Sequence, residues 1–414
     1  MLEPGAIFRR LFGGGIDPAL RPVLGVALAG SVAGSLLWSF TGIWAIKELG
    51  AEERQLGLAF LLGALAAAGG GYLGGHLSDH FGRRPLILVG WGFEALVALA
   101  FLAVGDLVLA GLGLIAGAAF FGSLGGAADQ ALVADLVPEE RHEAAYASVR
   151  VASNLGVTIG PPIGGLLLLV SWPALFAGAA VLATATLGLA LRFIPRRGAY
   201  APPRPERGSF GLLVRDRLFL LFFASGCLAT LVYVAYETVL PISLVDTHGM
   251  SASTWGFLLV VNPAMVTLFQ LRLTARTARV PASLKLSVAM LLMGLPFLAL
   301  TATGRLPVVA LVIFVFVIGE MLWIPTSQTV VARIAPPDVR GAYIGAFSGT
   351  FAVGFALTPF LGLQVRDAAG DAAMWALFAG ISVVASALGL IACAAAFGLR
   401  GTAVGPLEES ATAA

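Results

Sequence analysis

The chain has 414 residues, of which 58% are hydrophobic and only 12% charged, with a formal net charge of +2 at pH 7. Soluble globular chains run at about a quarter charged and somewhat under half apolar, so water is not the main solvent for this one. The small, scattered charge argues against a nucleic-acid partner, and 52 glycines among long apolar runs are foreign to a cytosolic enzyme.

Arg9 and Arg10 precede the first apolar run, but no short run ends in a small-residue cleavage site. That first run is therefore expected to remain as a membrane span. A helix rises about 1.5 Å per residue, so about 20 apolar residues cross a hydrocarbon core of about 30 Å. Spans are predicted over 22–46, 55–77, 85–104, 107–134, 143–170 and 172–193, then 217–244, 251–272, 284–303, 306–333, 341–365 and 372–398. No amphipathic helices are left over to cover these segments as the core of a water-soluble fold. The fold class is an all-α membrane protein of twelve transmembrane helices in two pseudo-symmetric six-helix bundles.

With the N-terminus inside, the inner loops hold Arg83, Arg84, Arg141, seven arginines from Arg192 to Arg217, then Arg272, Arg276, Arg279, Lys285, Arg333 and Arg340. The opposite loops hold only Lys47, Arg54, Arg305 and Arg366. This asymmetry orients both termini to the cytoplasm of a multi-pass protein in the cell (plasma) membrane. The Pro/Arg-rich stretch 195–216 reads as a cytoplasmic linker between an N-terminal bundle (1–194) and a C-terminal bundle (217–398), with a cytoplasmic tail over 399–414. The halves echo each other: ADLVPEERHEAAY precedes the fifth span and ARIAPPDVRGAY the eleventh, and proline follows in each at Pro161 or Pro359. Duplication of this kind is typical of secondary transporters, which hold substrate between repeats near the midplane.

Between the second and third spans the chain reads Gly75-His76-Leu77-Ser78-Asp79-His80-Phe81-Gly82-Arg83-Arg84. Gly75 allows close helix approach, Gly82 permits a tight turn, and Asp79 with Arg83 can form a charged latch. The stretch resembles the G-x-L-x-D-x-x-G-R-R signature of the major facilitator superfamily, and the resemblance implies that fold and adds Asp135 to the gating network. In the fifth span, Gly156, Gly160, Pro161, Gly164 and Gly165 are similar to the G-x-x-x-G-P-x-x-G-G pattern of exporters that exchange solute against protons. Generic packing of a bent, small-residue helix is the competing account. Gly319-Glu320 followed by Pro325 resembles the G-E-x-x-x-x-P of one multidrug-exporter branch, which implies proton coupling and cation recognition at Glu320. The arginine that many drug antiporters carry in the fourth span is absent from GLGLIAGAAFFGSLGG.

A charge in the hydrocarbon core costs about 2.5–3.5 kcal/mol on insertion scales, so each one calls for a reason. A buried carboxyl holds either a proton or a cationic substrate, and such competition at Glu320 is enough to couple export to proton entry, the competing account being a neutral structural glutamate hydrogen-bonded to a neighbouring helix. Asp129 and Arg150 flank the fourth-to-fifth loop at similar depth and are expected to pair, as a structural bridge or as a switched, proton-sensitive one, with Asn154 one turn beyond. Glu237 lies near the outer end of the seventh span beside Tyr233 and Tyr236, where an interfacial aromatic belt explains the tyrosines. Glu94, in a span expected at the periphery, reads as a structural, protonated glutamate. The candidate substrate cavity comprises Trp38, Asn154, Tyr233, Glu237, Asn262, Gln270, Glu320, Trp323, Phe347 and Phe351. Each of its aromatic residues could equally pack between helices or face lipid.

These observations point to a secondary active transporter, not an enzyme, that exports hydrophobic or cationic small molecules in exchange for protons. The alternative cargo is a specific metabolite, sugar or lipid, and a reading of another class is a non-transporting membrane sensor. No metal or cofactor is implied, since Cys227 and Cys393 lie in apolar runs and no nucleotide-binding loop occurs. The proton gradient supplies the drive, and the expected partners are the lipid bilayer, the substrate and protons, with the chain acting as a monomer.

Overall fold

The computed structural model describes residues 18–138, 142–195, 212–336 and 340–397. The tail over 399–414 and residues 196–211 of the expected linker lie outside the described residues, as does the side chain of Asp79. The described chain is nearly all helix. In order the helices are α1 (Arg21–Lys47), α2 (Glu53–Phe81), α3 (Arg83–Ala103), α4 (Val108–Leu136), α5 (His142–Leu168) and α6 (Trp172–Phe193). They continue with α7 (Arg217–Thr238), α8 (Leu240–Asp246), α9 (Ala252–Leu258), α10 (Val261–Arg276), α11 (Ala282–Gly294), α12 (Leu306–Ile334), α13 (Arg340–Ser348) and α14 (Thr350–Phe397).

Among the described residues, eleven helical stretches are long and apolar enough to cross a membrane. The last, Tyr343–Phe397, has 55 residues, more than twice the length one crossing needs. It divides at Gly370, whose φ of 81° and ψ of 173° no other residue type adopts cheaply. The two parts are the eleventh and twelfth spans.

Local sequence sets the helix starts. Gln55 accepts from the Glu52 amide at 3.1 Å in a capping box that opens α2. Ser171 caps α6, and Asp216 caps α7 by accepting from the Leu218 and Phe219 amides at 3.0 Å. Gly82, at φ 88°, makes the turn from α2 to α3.

Compactness separates two units, one comprising the chain up to Arg204 with Gly249–Pro263, the other Pro205–His248 with Ala264 onward. In the first unit α2 packs on α4, α3 on α4 and α6, α1 on α5 and α6, and α5 also on α9. The α1–α5 seam depends on small residues, because a Cβ on Gly156 would lie 2.7 Å from the Leu28 carbonyl oxygen, and one on Gly160 2.6 Å from that of Val32. Backbones this close are the membrane alternative to a hydrophobic driving force. In the second unit α7 packs along α14, and α11 on α12 and α14.

The units differ in continuity. The first six spans are unbroken, α5 staying helical through Pro161 and Pro162, whereas the α9 segment that groups with the first unit is separated from α10 at Leu259–Val260. In the second, the seventh span is interrupted at Val239 and the ninth changes to a 3-10 helix over Leu295–Thr301.

Candidate functional site

The centre of α12 is Glu320, fourteen residues from either end of the helix and 6% exposed. Phe316 lies one turn before it and Trp323 one turn after, so the three share a face. Opposite stands α7, whose Tyr233 and Tyr236 interact electrostatically with Glu320 and with Glu237 of their own helix. The Tyr233 hydroxyl hydrogen-bonds Glu237. Tyr236 stacks on Phe316 at 4.7 Å between centroids, and Tyr233 meets Phe316 at 6.1 Å, Trp323 at 6.3 Å and Phe351 at 5.6 Å. Trp323 and Phe351 close the ring at 5.8 Å. The result is a run of five aromatic rings, with Tyr233 at its hub, on the helices that carry the two carboxyls and their near neighbour α14.

This arrangement corrects the belt reading of the tyrosines. Tyr236 is 3% exposed and faces the acids from inside the unit. The span also runs on through α8 to Asp246, so Glu237 is not at its end. Pro241 has no N–H to give the Glu237 carbonyl four residues earlier, which weakens the helix where the acid sits. Phe316 was not among the expected residues, although the one-turn spacing that links Trp323 to Glu320 applies to it equally.

Gln270 is committed elsewhere. Pro325 likewise leaves the Met321 carbonyl without its helical donor, and the Gln270 amide supplies one at 3.0 Å while bonding Thr274 Oγ1 at 3.1 Å. Phe347, 5% exposed, stacks on Phe222 at 5.4 Å and fills the notch left by Gly226, away from the ring-walled acids. Trp38 and Asn154 belong to the first unit, where Trp38 meets Phe60 edge-on at 5.5 Å and Asn154 is exposed. Asn262 groups with the first unit, Gln270 with the second.

The expected pair of Asp129 and Arg150 does not form among the described residues, and Arg150 is exposed. Equal depth did not bring them face to face, because α4 packs mainly on α2 and α3 whereas α5 packs on α1 and α9.

At the turn after α2, Arg83 Nε donates to Asp135 Oδ2 at 2.9 Å and Nη1 to Ser78 Oγ at 2.7 Å, while Ser78 donates to the Gly75 carbonyl at 2.8 Å. Arg84 reaches the Leu191 carbonyl. The ends of α2, α3, α4 and α6 are thereby tied together. Gly164 and Gly165 of α5 admit Phe40 and the Ser253 backbone, respectively.

Arg366 was expected in an outer loop, yet it is buried in the last turn before Gly370. It pairs with Asp371, lies 2.6 Å from Asp246 Oδ2 and donates to Thr247 Oγ1 at 2.9 Å, and Ser243 donates to Asp371. Sequence reasoning missed this cluster, whose one visible signal is acids beside a turn glycine.

Among the described residues, twelve apolar crossings in two packed units that each enclose ionisable groups define a polytopic membrane transporter. The sequence matches the Major Facilitator Superfamily over residues 23–359. The chain belongs to that superfamily. It is 25% identical over 361 residues to a "Na(+), Li(+), K(+)/H(+) antiporter" of Planococcus maritimus, covering 78% of this chain and 84% of the relative. It is 29% identical over 309 residues to "Multidrug resistance protein MdtH" of Aeromonas hydrophila, covering 72% and 75%. Its fold is similar to that of the nucleoside transporter NupG, with a TM-score of 0.74 at 13% identity over 91% of this chain and all of that one.

Proposed function

We propose that the protein is a proton-coupled exporter of hydrophobic or cationic small molecules, of the multidrug antiporter type, acting as a monomer in the plasma membrane with both termini cytoplasmic. The observation that carries this reading is the grouping of Glu237 and Glu320 with Tyr233 and Tyr236, whose rings meet those of Phe316, Trp323 and Phe351. A carboxylate attracts a cation, and ring faces hold an organic cation with about 2 kcal/mol or more each when desolvated. Protonation removes the attraction, so proton and cargo exclude each other at one group. Glu320 is the coupling acid in this scheme. It needs no cofactor, since the proton gradient supplies the drive.

A second reading, exchange of alkali cations for protons, draws on the name of the Planococcus relative. The ring-lined walls favour the organic cation, because hard cations take oxygen ligands. Proteoliposomes with an imposed pH gradient separate the two when ethidium and sodium fluxes are measured side by side. Glu320→Gln is expected to abolish gradient-driven ethidium accumulation while retaining ethidium binding. Accumulation at the wild-type level in that variant overturns the assignment, and a wild type without any substrate-dependent proton flux leaves the sensor reading in place.

A further inference from the structure

We infer that the first unit holds a proton-binding site of its own at Glu94, separate from the acids of the second unit. Glu94 lies at the middle of α3, eleven residues from Arg83 and nine from Ala103. Trp91 is three residues earlier and shares its face. That face meets α1 at two glycines: the Trp91 ring occupies the place of a Cβ on Gly30, and Glu94 Oε1 is 3.3 Å from the Cβ position of Gly34. Ala33, Ala95 and Ala183 pack together at the same level, so α1, α3 and α6 converge beside the carboxyl. It points into the unit, against expectation for a peripheral span.

Among the described residues Glu94 has neither an ion pair nor a hydrogen bond. The helices around it offer no counter-charge. Basic residues on α1 are Arg21 and Lys47 at its two ends, α6 has Arg192 in its last turn, and α2 carries its charges at its ends. On α4 the charged residues are Asp129 and Asp135. Gly90 of α3 sits against Gly125 of α4, and the two helices run antiparallel, which separates Glu94 from Asp129 by about 12 Å along the axis.

An ionised carboxylate in this setting has nothing to offset its desolvation, so the group carries a proton here. Among the described residues no protein acceptor holds its O–H, and the side chain is only partly buried, so the proton is not locked in place. What remains is a carboxyl that exchanges its proton when motion of α1 against α3 admits water.

The role in transport rests on the proton-coupled reading above, but proton binding can be tested without it. The full chain in lipid nanodiscs is titrated while the infrared carbonyl band of protonated carboxyls is followed. Glu94→Gln is expected to remove one titrating component; in proteoliposomes it should lower the proton-to-ethidium ratio by one without changing ethidium affinity. A titration and a ratio identical to wild type overturn the proposal. Should that variant fail to fold, Gly34→Val places a side chain against Oε1 and must shift a titrating band, an unshifted spectrum being equally fatal. If wild type shows no coupled transport, the exporter reading fails and the infrared titration still decides Glu94.

Discussion

The intramembrane acids of the two units sit behind different walls. Glu237 and Glu320 are grouped with five aromatic rings and a tyrosine hydroxyl, whereas Glu94 faces the backbone of α1 across Gly34. One residue type in one apolar solvent thus acquires two capacities. Rings recognise organic cations by their quadrupoles and bulk, whereas a carboxyl set against a glycine of the facing helix has no ring beside it but Trp91 and can do no more than hold a proton in this reading. The helices differ along the chain too: the seventh and ninth spans, in the unit with the rings, are interrupted, and the eighth breaks between α9 and α10, while the first six spans are continuous. Broken spans are where transporter folds commonly place cargo.

The largest effect is expected where charge is held by permanent pairing, the third way this chain manages it. Arg366→Ala strands Asp371 and Asp246 beside a buried gap and should cost about 3–5 kcal/mol, read as a fall in the thermal unfolding midpoint. Replacing all three, as Arg366→Met with Asp246→Asn and Asp371→Asn, should restore most of it. An unchanged midpoint for Arg366→Ala would erase the distinction between paired and proton-exchanging groups. Next in size is Trp323→Ala, expected to weaken ethidium binding about 30-fold, equivalent to about 2 kcal/mol of desolvated cation–ring attraction. Trp91→Ala, in the glycine seam, should leave that affinity unchanged. Equal losses from both tryptophans would break the comparison.

The twelve spans were legible because an apolar run of about 20 residues has few other uses. Hydropathy averages over side chains, however, and is blind to the breaks at Val239 and at the 3-10 segment. It also misplaced Arg366, since a charged residue near a span end reads as loop until Asp246 and Asp371 are seen to enclose it. Helical spacing put Trp323 beside Glu320, and the same rule applied backwards finds Phe316. Pairing between helices was the part sequence could not supply. Asp129 and Arg150 are at matching depth on helices that pack on other partners, and Gln270 satisfies the Met321 carbonyl, a need created by Pro325 on a different span.

The smallest predicted effect tests whether Glu237 belongs with the cargo site. Tyr233→Phe keeps the ring that meets Trp323 and Phe351 and removes only the hydroxyl bonded to Glu237. A hydrogen bond of this kind contributes about 1 kcal/mol, so ethidium affinity should fall about fivefold, with little change in thermal midpoint. Because the wall is intact, any loss reports on the acid and not on ring area, which Trp323→Ala cannot separate. Isothermal titration of the variant beside Glu237→Gln gives the comparison. If Glu237→Gln weakens binding and Tyr233→Phe does not, the acid acts without its hydroxyl partner. If neither does, the cargo site contracts to Glu320 and its rings, and Glu237 joins Glu94 among acids that hold only a proton.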